Sequence, residues 1–251
     1  MKPFSISIFA LSLLLLGSVS AGEELKFFEL RTYHTHPGKL DALHARFRDH
    51  TCKLFTKHGM SNTGYWTPKD KPDTLIYLLG YPDENARKTS WTAFRNDPDW
   101  QAAYQASTAD GKLITKVDSL FLQPTDYSKM PALKKSATDQ LYELRIYTTN
   151  EGKLDDLHAR FRDHTCELFE KHGISNFAYF TPTEAKDGAE TKLVYLVSHK
   201  DESSRSEAFK AFTQDPAWKS AKGNSEKAGP ILVKKGVSST FLLPTDYSPV
   251  N

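Results

Sequence analysis

The sequence predicts an α+β protein in which two tandem ferredoxin-like βαββαβ repeats close one intramolecular, pseudo-twofold barrel. Three observations carry this prediction. Residues 29–68 and 143–182 are identical at 29 of 40 positions with a constant offset of 114. Within each copy, segments of period two and period 3.6 follow one another in the order β-α-β-β-α-β, the split βαβ arrangement. A four-stranded sheet with both helices on one face leaves its other face uncovered. Two copies in one chain can bury those faces against each other.

Each element has a local reason. From about Leu25 to His34, Phe28 and Leu30 alternate with Glu29, Arg31 and Tyr33, as in a strand with one apolar and one polar face. An amphipathic helix follows over about Pro37–His58, ended by Gly59 as the left-handed C′ residue. Aromatic and β-branched residues mark strands over Asn62–Thr67 and Thr74–Tyr81. A second helical stretch starts near Asp83 and breaks at Asp97-Pro98, an N-cap followed by proline at N1. The last strand, Val117–Gln123, stops at Pro124. Both copies end in Pro-Thr-Asp-Tyr-Ser, at 124–128 and 244–248.

Met1–Ala21 has a positive charge at Lys2, an apolar run from Ile6 to Leu16 and a small-x-small ending at Val19-Ser20-Ala21. This is the pattern of an export signal, too short to span a bilayer. The expected organisation is a signal peptide (1–21), repeat 1 (22–128), a connector (129–138) and repeat 2 (139–251), with the mature chain periplasmic or extracellular. No second stretch is apolar enough for a membrane span. With 33 Lys+Arg against 31 Asp+Glu, the net charge of +2 gives no basis for nucleic-acid binding. Two cysteines exclude a disulfide-dense scaffold.

The motifs Glu29-Leu30-Arg31-x-Tyr33, Gly38-Lys39, Lys57-His58-Gly59, Tyr65-Trp66 and Asp97-Pro98-x-Trp100 resemble the NIPSNAP family, of the dimeric α+β barrel superfamily. The second copy repeats them from Glu143 to Trp218, with Phe180 in place of Trp66. The resemblance implies the barrel fold and leaves the reaction open, because the superfamily includes cofactor-independent oxygenases, haem-binding enzymes and lactone isomerases.

The candidate ligand residues are Glu29, Arg31, Tyr33, His44, His58, Tyr65, Trp66 and Tyr77, with Glu143, Arg145, Tyr147, His158, His172, Tyr179, Phe180 and Tyr195 in the second copy. If the Phe28/Leu30 face packs on the helices, the Glu-Arg-Tyr triplet points into the barrel. There it forms either a structural Glu–Arg bridge across the two sheets or a polar cavity. In the cavity, Arg31 or Arg145 would hold an anionic or carbonyl oxygen. Tyr65, Trp66, Tyr77, Tyr179, Phe180 and Tyr195 would then form an aromatic wall.

At 100° per residue Leu40, Phe47, Leu54 and His58 share a stripe that includes His44 and Thr51. The two histidines are therefore either satisfied core residues or the lining of a helix–sheet cleft. No metal site is expected: no His-Glu-x-x-His occurs, and His34-x-His36 has no counterpart at Thr148 and Asn150. Cys52 and Cys166, equivalent positions on opposite sides of a barrel, are expected to be free thiols. No phosphate loop, Gly-x-Ser-x-Gly or Cys-x-x-Cys occurs.

The expected function is an exported binding module for a small hydrophobic or carbonyl-bearing molecule, or for a protein partner, without a cofactor. Homo-oligomerisation is left open. The alternative is a cofactor-independent monooxygenase, or a haem-binding or haem-degrading enzyme using His44/His158 or His58/His172.

Overall fold

The computed structural model describes residues 24–130 and 140–250. The export-signal assignment and most of the connector lie outside these residues. Repeat 1 comprises β1 (Phe27–Thr35), α1 (Leu40–Arg46, Phe47–Thr51 and Cys52–Lys57), β2 (Ser61–Pro68), β3 (Thr74–Tyr81), α2 (Glu84–Asn96), α3 (Pro98–Ser107) and β4 (Ile114–Pro124). Repeat 2 mirrors it with β5 (Leu141–Thr149), α4 (Leu154–Arg160, Phe161–Thr165 and Cys166–Lys171), β6 (Ser175–Pro182) and β7 (Lys192–His199). The helices α5 (Glu202–Gln214) and α6 (Pro216–Ser225) and the strand β8 (Leu232–Pro244) complete it. Asp83 and Asp97 cap α2 and α3 through their side chains, with Pro98 opening α3. Gly59 ends α1 at φ +76°, a conformation that costs glycine little.

The eight strands form one closed antiparallel barrel in the order β1-β3-β2-β8-β5-β7-β6-β4. The repeats meet at two short seams, where Trp66 faces Pro244 in β2–β8 and Pro124 faces Phe180 in β4–β6. Closure removes the open edges that a lone four-stranded sheet would expose. The interior is apolar and drawn from both repeats, including Phe28, Leu30, Trp66, Leu78, Tyr142, Leu144, Phe180 and Leu196. Two further cores lie between each sheet and its own helices.

This assignment of faces reverses the one on which a polar barrel interior depended. Phe28 and Leu30 point inward, so Glu29, Arg31 and Tyr33 lie beneath the helices of their own repeat. The reason is hydrogen-bond supply: the helix side offers Arg87 and the Trp91 indole N–H to Glu29, while the interior offers hydrocarbon.

Helix α1 also departs from a uniform 100° register. Its central segment, Phe47–Thr51, is wound as a π-turn, and α4 repeats this at Phe161–Thr165. Thr51 Oγ1 donates to the Arg46 carbonyl at 3.1 Å, and Thr165 Oγ1 to that of Arg160 at 3.0 Å. The wide turn rotates the buried face to Leu43, Arg46, Phe47, Thr51, Leu54 and Phe55. Leu40, His44 and His58 are left half-buried on its flanks.

Candidate functional site

Glu29 is fully buried, and three side chains answer its carboxylate with four hydrogen bonds. Arg87 donates twice, from Nε at 2.7 Å and Nη2 at 2.9 Å; Trp91 Nε1 donates at 2.9 Å; Arg31 Nη1 supplies a further bond. Burial pushes this carboxyl up, but the bond from Arg87 and the charges of Arg31 and Arg87 outweigh it and hold it below its ordinary value. Arg31 spends its other donors on Tyr77 Oη at 2.8 Å, Ser119 Oγ at 3.0 Å and Tyr33 Oη at 3.4 Å. In repeat 2, Glu143 accepts from Arg205, Arg145 and Ser239, and Arg145 bonds Tyr195 and Tyr147. The Glu–Arg bridge therefore exists, but it joins strand to helix within a repeat and does not cross the barrel. With its guanidinium bound on every side, Arg31 anchors the site.

Above this network, between α1, the α2–α3 pair and β1, lies a cleft of about 510 Å³. Tyr33, Phe47, Phe55, Trp91, Phe94 and Trp100 supply apolar walls, and Arg31, Arg46, Arg87 and Arg95 supply charge. No Asp or Glu lines it. Arg46 is only 4% exposed. Its Nη1 donates to Ser107 Oγ at 3.1 Å, its Nε is buried without a partner, and its Cζ lies 5.4 Å from the ring centres of both Trp100 and Tyr104. Burial lowers its pKa below the ordinary arginine value, against the raising effect of Tyr33, Tyr104 and Tyr77. The equivalent cleft of repeat 2 is smaller, about 360 Å³, and Glu226 lines it.

The four candidate histidines lie outside both clefts. His44 Nδ1 is 2.8 Å from Tyr247 Oη, and His158 Nδ1 is 2.9 Å from Tyr127 Oη. Each Pro-Thr-Asp-Tyr-Ser tail thus latches the first helix of the opposite repeat. Arg48 and Arg162 clasp Asp246 and Asp126 with two bonds each. The backbone N–H groups of Tyr65 and Tyr179 donate to Ser248 and Ser128. His58 and His172 instead brace the cap residues Asp97 and Asp215, at 2.6 and 2.8 Å. None of the histidines named for the haem-binding alternative lines either cleft. Among the described residues no cluster of His, Cys, Asp or Glu could hold a metal ion, and His34 pairs with Asp118.

The anticipated aromatic wall divides between two layers. Trp66 and Phe180 fill the barrel interior, whereas Tyr65, Tyr77, Tyr179 and Tyr195 face the helices, stacked in pairs at 5.5 and 5.3 Å. Alternation along a strand dictates this split, since neighbouring residues 65 and 66 must face opposite ways. Cys52 and Cys166 are free. Burial pushes their thiols up to about 12 and about 11, which removes the thiolate a nucleophile needs.

The NIPSNAP family model matches residues 28–129 and again residues 142–249. The chain belongs to the NIPSNAP family. Solved structures of similar fold include an anthrone oxidase-like protein, 10% identical over 89% of this chain and 92% of that one, with a TM-score of 0.57. A monooxygenase candidate from Lactobacillus acidophilus NCFM is 12% identical over 90% of this chain and 98% of that one, with a TM-score of 0.56. A NIPSNAP family protein from Agrobacterium tumefaciens str. C58 is 23% identical over 42% of this chain and 98% of that one, with a TM-score of 0.38. No curated protein matches the sequence.

In this NIPSNAP chain the structure brings Arg31 and Tyr33 to the first cleft, with Glu29 and Tyr77 directly beneath. Glu143, Arg145, Tyr147 and Tyr195 form the equivalent network in repeat 2, where Tyr147 lines the second cleft, and Tyr65 and Tyr179 pack in the helix–sheet cores. The histidines belong to the latch and the cap braces, and Trp66 and Phe180 to the barrel interior. Sequence reading missed Arg46, Arg87, Trp91 and Tyr104. A usable signal was present in the repeat alignment, where Trp91, Arg95, Tyr104 and Thr108 become Phe209, Thr213, Lys222 and Glu226, while Arg46 and Arg160 are the same.

Proposed function

We propose that this is an exported NIPSNAP binding protein whose first helix–sheet cleft takes a small hydrophobic molecule bearing a carbonyl or related oxygen. The cleft itself carries the reading. About 510 Å³ of aromatic-walled space with buried cationic donors and no lining carboxylate is the composition of a small-molecule site. Native mass spectrometry of the protein purified from its own source tests it: a co-purifying small molecule, lost on substituting Trp100 with Ala, is the expected result. Export rests on the pattern of residues 1–21, and amino-terminal sequencing of the processed protein should begin at Gly22.

A second reading, cofactor-independent oxygenation, draws support from the fold shared with the anthrone oxidase-like protein and the monooxygenase candidate. Oxygen uptake on adding quinols or polyphenols would favour it over simple binding.

A further inference from the structure

The two clefts are copies of one design, and they differ where charge is concerned. Arg160 is 4% exposed and donates from Nη1 to Glu226 at 3.0 Å, with Ser225 Oγ at 3.4 Å. Its Cζ lies 5.3 Å from the Trp218 ring. Arg46 keeps the serine, as Ser107, and the indole, as Trp100, but the residue equivalent to Glu226 is Thr108. Among the described residues no carboxylate pairs with Arg46. The Nε of both arginines is buried and partnerless, so the pair with Glu226 is what distinguishes Arg160 from Arg46, while Lys222 lines the second cleft where Tyr104 lines the first. Leaving a buried guanidinium without a counter-charge is unfavourable. Cation–π contact with Trp100 and Tyr104 offsets only part of that cost. The first cleft is also the roomier one, about 510 against 360 Å³.

We propose that the first cleft is a carboxylate site, in which Arg46 takes from a planar, apolar monocarboxylic acid the group that Glu226 supplies to Arg160 in the second repeat. The chain then binds one such acid, because Glu226 already occupies the second arginine. The aromatic walls of Phe47, Phe55, Trp91 and Trp100 select an aryl or similarly flat body, and Arg46 selects the anion through charge-assisted hydrogen bonds. The proposal rests on the cleft reading given above and narrows its ligand class. The paired Arg160 of the second cleft serves as an internal reference for what the guanidinium prefers.

Calorimetric titration of the full chain with benzoate, phenylacetate and 2-naphthoate, each against its neutral amide, tests this. At least one acid is expected to bind with a stoichiometry of one and at least tenfold more tightly than its amide. Thr108→Glu, which copies the second repeat, is expected to weaken that acid at least tenfold. Arg46→Gln should bring acid and amide to within about twofold of each other, circular dichroism showing both variants folded. If acids and amides bind alike in the wild type, or if Thr108→Glu binds the acid undiminished, the carboxylate assignment is overturned while the cleft remains a binding site. If no member of the panel binds, the cleft reading falls and the carboxylate assignment falls with it. A stoichiometry of two overturns the role given to Glu226.

Discussion

Tyr247 Oη lies 2.8 Å from His44 Nδ1, although 203 residues of sequence separate them. The equivalent pair, Tyr127 and His158, closes the opposite side of the barrel at 2.9 Å. The two contacts are reciprocal. Each repeat therefore needs the other's tail to complete the outer face of its first helix.

Both imidazoles are held below their ordinary value of 6.5, first by burial and then by Arg48 or Arg162. Asp41 and Asp246 oppose the shift at His44, as Asp155 and Asp126 do at His158. A histidine with a lowered folded-state pKa binds fewer protons folded than unfolded. Stability should accordingly be full above about pH 6.5 and fall as the pH drops below it, until the folded-state value is passed. Urea midpoints should decline between pH 7.5 and pH 5.5, and the double variant His44→Gln/His158→Gln should show a flatter decline. An unchanged slope in that variant would assign the acid sensitivity elsewhere.

Removing only the latch hydroxyl, by Tyr247→Phe, is expected to cost about 1 kcal/mol. Tyr247→Ala also deletes a ring that packs on Phe47 at 6.2 Å and Tyr65 at 5.4 Å, and should cost about 3–5 kcal/mol. Urea unfolding separates the two, and equal losses would mean that the ring contributes nothing.

A Cβ on Gly64 would lie 2.1 Å from the Trp66 ring, so this tryptophan requires the glycine. Repeat 2 resolves the same conflict the other way, with Ala178 and Phe180. Gly64→Ala alone should destabilise by about 1–3 kcal/mol through overpacking. In Gly64→Ala/Trp66→Phe, most of that loss should be recovered, giving a non-additive double-mutant cycle. Additive losses would show that the two positions do not share one volume.

Glu29→Gln leaves Arg31 and Arg87 together without their shared counter-charge, an expected loss of about 3–5 kcal/mol. Because the Glu29 carboxyl is held below its ordinary 4.5, its contribution is present above that pH and is lost as the pH falls through the lowered value. Chemical unfolding at pH 7 checks the first claim. A variant within about 0.5 kcal/mol of the parent would count against a structural role for the network.

The architecture was legible because it repeats: the offset of 114, Gly59, and Asp97-Pro98 each mark a boundary that holds in both copies. The direction in which β1 faces was not legible. Period-two alternation separates Phe28 from Glu29 but does not say which of them meets helices. That depended on Arg87 and Trp91, distant residues whose donors only the helix side could deliver. The histidine stripe failed for a local reason, since a uniform 100° step does not anticipate the π-turn at Phe47–Thr51 that brings Arg46 inward. The site itself was hidden in differences between the copies, at positions 95, 104 and 108 against 213, 222 and 226, whereas the shared residues mark the frame.

Covalent joining gives this barrel a freedom that a pair of separate identical chains lacks. In a two-chain barrel every substitution appears on both sides, so a carboxylate that silences one arginine silences both. Here position 226 can carry glutamate while position 108 keeps threonine, and one half can serve as scaffold without disarming the other. The two seams and the exchanged tails hold the halves in register while their clefts diverge. Symmetry in this chain is a property of the frame alone, and its chemistry is free to be one-sided.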